Sequence, residues 1–226
     1  MKRGRAFIKI CSILAVVFAL FPGCSTKNEK ILNEGIIEFD VAAVDPNHPW
    51  AGMIPSTATL KFKDDKFLLE MSTMGMFTTT FICDQTSKTL TQMVKFLDIK
   101  QACIEKEAEI KKENETYKLK YEETAETKNI AGYKCKKLKV TMADDPSIKF
   151  DAYYTKDMGA ENVNDLSPYI GVKGMLMQYR LKKMGLELQF TAKSVKKAEI
   201  TDNIFEIPAY FKIVSKAEIE KIFQQF

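Results

Sequence analysis

The sequence predicts a mainly β (α+β) domain: an antiparallel sheet with few helices, finished by a C-terminal amphipathic helix. Three observations predict it. Apolar residues alternate with polar ones at period two from Gly35 onward. Short Asp-, Asn- and Gly-bearing turns separate the alternating runs. One complete helix-start signature stands near the end of the chain.

Taken in order, Ile37, Phe39, Val41 and Ala43 alternate with Glu38 and Asp40, and Leu60 and Phe62 alternate with Lys61 and Lys63. Both read as half-buried strands. Asp64-Asp65 turns the chain into Lys66 to Ser72, and Gly75 introduces a strand in which Phe77, Thr79 and Phe81 share a face. A turn at Asp84 to Lys88 opens the next strand, around Leu90, Gln92 and Val94. Tyr117, Leu119 and Tyr121 begin another, and Asn129-Ile130-Ala131-Gly132 turns it into Tyr133 to Met142, where the parity of buried positions changes near Lys136 and predicts a bulge. Phe150 to Thr155, Met175 to Leu181 and Leu186 to Val195 bring the count to about nine or ten strands. Successive strands joined by tight turns pair antiparallel.

Helical signals are sparser. Glu105 to Asn114 reads as a short surface helix or ordered loop with an apolar side at Ile104 and Ala108, and Met158 to Leu166 as a similar short element. The chain end is clearer. Ser215-Lys216-Ala217-Glu218 is a capping box, with Val214 and Ile219 placed for a hydrophobic staple. Ile219, Ile222, Phe223 and Phe226 then share one face, which predicts a docked helix from Lys216 to the terminus.

Ahead of the domain lies a different kind of segment. Lys2, Arg3, Arg5 and Lys9 precede an apolar run from Ile10 to Phe21 that ends at Pro22-Gly23-Cys24. A charged start, a short apolar core and a small residue before cysteine are the layout of an export leader cleaved at an acylated thiol. The organisation expected is a leader over 1–23, a lipidated tether over 24–33 and a single β domain over 34–226, with Cys24 as the lipidation site. The membrane is then a partner through acyl chains, and Ser25 after the cysteine favours the outer membrane of a bacterial envelope. Removing the leader's four basic residues from the 34 Lys and Arg leaves 30, against 30 Asp and Glu, so the exported chain is formally neutral and nucleic acid is excluded as a partner. Cys83, Cys103 and Cys135 remain in an oxidising compartment, either as one disulfide plus a buried thiol or as three buried thiols.

The chain carries no GxSxG elbow, HExxH helix, Walker loop or GxGxxG turn, and any Ser or Cys nucleophile would have to use its single histidine, His48, or for a cysteine a perturbed lysine. The expectation is a non-enzyme with no catalytic residues, no cofactor and no metal. The candidate ligand-binding residues are apolar and flexible: Met71, Met74, Met76 and Phe77, with Met53 upstream and Met175 and Met177 in a later strand. Thioethers adapt to irregular apolar partners, so these residues either line an acyl-chain cavity or fill the space between sheet and helices. The loop from Asp45 to Pro55 holds three prolines and the only tryptophan, Trp50, as a cavity lip, a membrane contact or a cover over one end of the core.

The run Lys128 to Lys137, then Asp151-Ala152-Tyr153-Tyr154-Thr155-Lys156, then Phe205-Glu206-Ile207-Pro208-Ala209-Tyr210, resembles a family of bacterial envelope lipoproteins with an uncharacterised domain, related to the LolA-like and LolB-like lipoprotein carriers. The resemblance implies a strongly curved half-barrel whose concave apolar face is closed by helices and can hold acyl chains. Two functions are therefore expected in competition. One is an envelope lipoprotein that binds a hydrophobic ligand or lipidated partner in its curved sheet. The other is a non-catalytic structural or interaction module with a fully packed core, which meets envelope protein partners at exposed loops or edges.

Overall fold

The computed structural model describes residues 31–49, 51–73, 77–183 and 185–224. The leader, Cys24, Trp50, Met74, Met76 and Phe226 lie outside the described residues. The alternating runs form β1 (Glu34–Ala43), β2 (Thr57–Lys63), β3 (Lys66–Thr73), β4 (Phe77–Asp84), β5 (Thr89–Phe96) and β6 (Ile99–Lys106). After α1 (Glu107–Asn114) come β7 (Leu119–Ile130), β8 (Tyr133–Met142), β9 (Lys149–Thr155), β10 (Met175–Lys183) and β11 (Leu186–Lys197). The two-residue β12 (Lys212–Ile213) precedes α2 (Lys216–Gln224).

All twelve strands belong to one open curved sheet, in the order β12-β6-β5-β4-β3-β2-β1-β11-β10-β9-β8-β7. Every pairing is antiparallel except β12 with β6. Register explains the alternation, because one cross-strand row runs Ile37, Leu60, Leu69, Phe81, Gln92, Cys103 and points to a single side, the inner face. On the far side of β1, the inner face continues through a second row, Val41, Phe190 and Tyr179. Phe39, Phe190 and Tyr179 meet there, with Tyr179 and Phe190 stacked 5.1 Å apart and Phe39 set edge-on to both. The main core lies on this face and includes Ile110 of α1.

Residues 198–224 wrap the β6 edge. From β11 the chain crosses the outer face, where Ile204, Phe205, Ile207 and Phe211 cover Leu68, Ile82, Met93 and Ala102. It then pairs along β6 as β12 and returns to the inner face as α2. The Val214 amide donates to the Ala102 carbonyl at 2.8 Å, fixing the crossing. As expected, Ser215 and Glu218 close a capping box: the Ser215 amide donates to Glu218 Oε2 at 3.0 Å and the Glu218 amide to Ser215 Oγ at 3.3 Å. Ile219 and Ile222 dock on Val94 and Cys103.

Several expectations need correction. Glu105 and Lys106, expected to begin the short helix, instead close strand β6, and α1 starts at Glu107 once the Thr89–Lys106 pair ends the ladder. Its anchor is Ile110, 1% exposed, whereas Ile104 sits on the outer face at 45%. Of the two forms expected for residues 158–166, the ordered loop is found: Met158 makes an isolated bridge and residues 161–166 form successive turns. The bulge expected near Lys136 interrupts the ladder on the partner strand, between Glu123 and Thr127 of β7. The segment assigned to the tether is already docked at its end: Leu32 bridges Met158, and the Asn33 carbonyl accepts from the Asp64 amide at 2.9 Å.

Candidate functional site

The inner face between β4 and β6 is covered from two directions, and an ion network holds the cover. Glu105 points inward because its cross-strand row runs from Phe67 through Cys83 and Leu90. Its side chain is 3% exposed, and a carboxylate removed from water requires a partner. That partner is Lys216, in the first turn of α2, at 2.5 Å. Lys216 also meets Glu113 of α1 at 2.7 Å, and Glu113 meets Lys183 of β10 at 2.8 Å. The alternating chain Glu105, Lys216, Glu113, Lys183 thus ties β6, α2, α1 and β10 together. Burial alone would raise the Glu113 carboxyl, but Lys183 and Lys216 outweigh it and hold the group below its ordinary value. Burial alone would lower Lys216, but its two carboxylates hold it above.

The expected ligand residues do not form one set. Met175 and Met177 are 2% and 0% exposed and lie in the main core. Phe77 packs edge-on against Phe223 of α2 at 5.3 Å, under the helix cover. Met71 is half-buried against the core. Met53 is 49% exposed in a 3-10 turn over Ala51–Met53, and its carbonyl accepts from Thr73 Oγ1 at 3.0 Å. That bond brings the proline-rich loop beside the end of β3. A local polar bond, Asn47 amide to Asp45 Oδ1 at 2.9 Å, shapes the same loop.

A cleft of about 440 Å³ opens elsewhere, between the β2–β3 and β4–β5 turns, α1 and the 162–173 loop. Lys88, Lys111 and Lys173 line it opposite Asp65, Glu107 and Asp165. Glu107 pairs with Lys111 at 2.7 Å and Lys88 at 3.4 Å, and Lys173 pairs with Asp165 at 3.2 Å. Such a surface suits a small polar molecule of balanced charge and holds none of the expected apolar residues. Its signal in the sequence was absent because the six charges come from four separate segments.

The thiols of Cys83, Cys103 and Cys135 are all free and buried, which is the second of the two expected arrangements and not the disulfide. Cys83 on β4 and Cys103 on β6 are separated by β5, a spacing of roughly 10 Å at two strand intervals, beyond the ~7 Å a disulfide can bridge. Cys135 lies on β8, on the far side of β1 in strand order. Burial pushes Cys83 up to about 12 and both Cys103 and Cys135 up to about 11, so none is a thiolate nucleophile near neutral pH. Among the described residues, no three His, Cys, Asp or Glu gather as metal ligands, and no helix is long and apolar enough to cross a membrane. No known family model matches the chain, and no curated protein matches it.

Proposed function

We propose that this chain is a lipid-anchored, non-catalytic interaction module of the bacterial cell envelope, held at the outer membrane through Cys24 and acting by protein contacts at its loops and edges. The observation that carries the choice of a packed module over a hydrophobic-ligand carrier is the state of the inner face. Met175, Met177, Phe39, Phe190 and Tyr169 are each at most 2% exposed, and α1 and α2 lie over the remaining strip. Side chains that fill a core to this degree leave their flexible thioethers in van der Waals contact with protein rather than with a ligand.

The anchoring part is tested by the intact mass of the full chain extracted from membranes. The reading expects a protein that begins at Cys24 and carries a diacylglyceryl-sized addition, part of which alkaline hydrolysis removes. An unmodified mass, or an N-terminus elsewhere, overturns it.

A second reading is favoured by one specific observation: α2 docks on a small cluster of its own, Val94, Cys103, Ile219 and Ile222, separate from the main core. In that reading α2 is a movable cover, and the strip beneath it receives an acyl chain, as the resemblance to LolA-like carriers implies.

A further inference from the structure

We propose that the end of the sheet where the chain enters β1 is the membrane-facing surface, resting on lipid headgroups, while the loop over 44–56 faces away from that membrane. The inference rests on acylation of Cys24. The entry point is fixed by hydrogen bonds: the Gly159 amide donates to the Leu32 carbonyl at 3.0 Å, the Asp64 amide to Asn33 at 2.9 Å, and the Ile200 amide to Glu34 Oε2 at 3.0 Å. The approach at Gly159 is so close that an added Cβ would lie 2.0 Å from Asn33 Oδ1. The chain therefore leaves the domain at Ile31 in one place.

Seven peptide units separate Ile31 from Cys24, and a fully extended chain of that length spans at most about 25 Å. β1 has ten residues, roughly 33 Å of strand, and the 44–56 loop begins at its far end. An upright domain with the far end on the membrane would lift Ile31 beyond the reach of its own anchor. With the entry end down, the same tether is long enough with slack.

The surface at the entry suits headgroups. Ile31 is 58% exposed beside Gly159, placing one large aliphatic side chain at the interface. Lys156, Lys196 and Lys197 are exposed around it, interspersed with Asp64, Asp157 and Glu199. Mixed signs fit the phosphates and amines of zwitterionic lipid, with lysine stems lying along the apolar boundary. Met53, at the other pole, is then directed toward the periplasm or a partner.

The test uses the full lipidated chain in vesicles of phosphatidylethanolamine and phosphatidylglycerol containing headgroup-labelled nitroxide lipid. A fluorophore is attached at Asp157→Cys, next to the bridged Met158, or at Met53→Cys; the three described native thiols are buried and stay unlabelled in the folded protein. With the protein co-floating with vesicles, quenching at position 157 should exceed that at position 53 by at least about twofold. Equal quenching, or the reverse order, in protein that floats overturns the orientation and leaves the anchor intact. Protein that fails to float, with Cys24 unmodified, overturns both.

Discussion

Lys216 Nζ and the Glu105 carboxylate lie 2.5 Å apart across 111 positions of sequence, joining the first turn of the last helix to the end of β6, beside the sheet edge. Each explains the other. Glu105 tolerates 3% exposure because a cation arrives from α2, and α2 holds its place over β5 and β6 because Lys216 finds two carboxylates there.

Lys216→Met should destabilise the domain by about 1–3 kcal/mol, since it leaves Glu105 buried without its cation. Lys216→Arg, which keeps the cation beside Glu105, should recover most of that loss. Urea unfolding followed by circular dichroism checks both, with the C-terminal segment of the Met variant also becoming more sensitive to protease.

The ion network fixes a pH window. Glu113 is held below its ordinary value of 4.5, so its contribution is present above that pH and is lost as pH falls through the folded-state value. Lys216 is held above 10.5, so its contribution is present below that pH and is lost as pH rises through the folded-state value. A melting-temperature profile should therefore show the gap between wild type and Glu113→Gln closing below pH 4.5. A gap that persists unchanged into strong acid contradicts the assignment.

Ile219 is fully buried, and Ile219→Ala should cost about 2–4 kcal/mol through lost burial and the cavity left on Val94 and Cys103. Ile213→Ala, at a position 60% exposed, should stay within about 0.5 kcal/mol. Denaturant midpoints at unchanged slope make the comparison.

Two glycines with positive φ separate conformation from contact. At Gly185 (φ +79°) nothing lies within 4 Å of an added Cβ, so Ala should cost only the backbone preference, about 1 kcal/mol. At Gly174 (φ +133°) the same atom would sit 2.3 Å from the Thr155 carbonyl oxygen, where β9 meets β10. Gly174→Ala should lower soluble yield and thermal stability far more than Gly185→Ala, and equal effects would contradict the register at that pair.

Where polarity alternates locally, the fold was legible in the sequence. The inner rows through Ile37, Leu60, Leu69 and Phe81 follow the period-two pattern, and the Ser215–Glu218 capping box places α2. β6 was hidden because its inner face carries Gln101 and Glu105 and its outer face Ala102 and Ile104. That inverted pattern is stable only because Lys216 and the 204–211 segment arrive from the far end of the chain. β12 was hidden for the same reason, as two residues gain strand geometry from an edge and not from their own pattern. Of the expected ligand residues, Met175 and Met177 stand with Leu176 and Tyr179 in a run apolar on both parities, and the structure gives the physical reason: the start of that strand is buried on both faces. The charged cleft had no local signature at all.

The central claim is that the inner face is filled by protein. Native mass spectrometry of residues 25–226, exported to a bacterial periplasm and purified without detergent, tests it most directly. The account predicts the bare polypeptide mass before and after organic extraction, and no mass increase when phospholipid is added. A lipid-sized adduct that extraction removes would contradict it and assign the strip beneath α2 to a hydrophobic ligand.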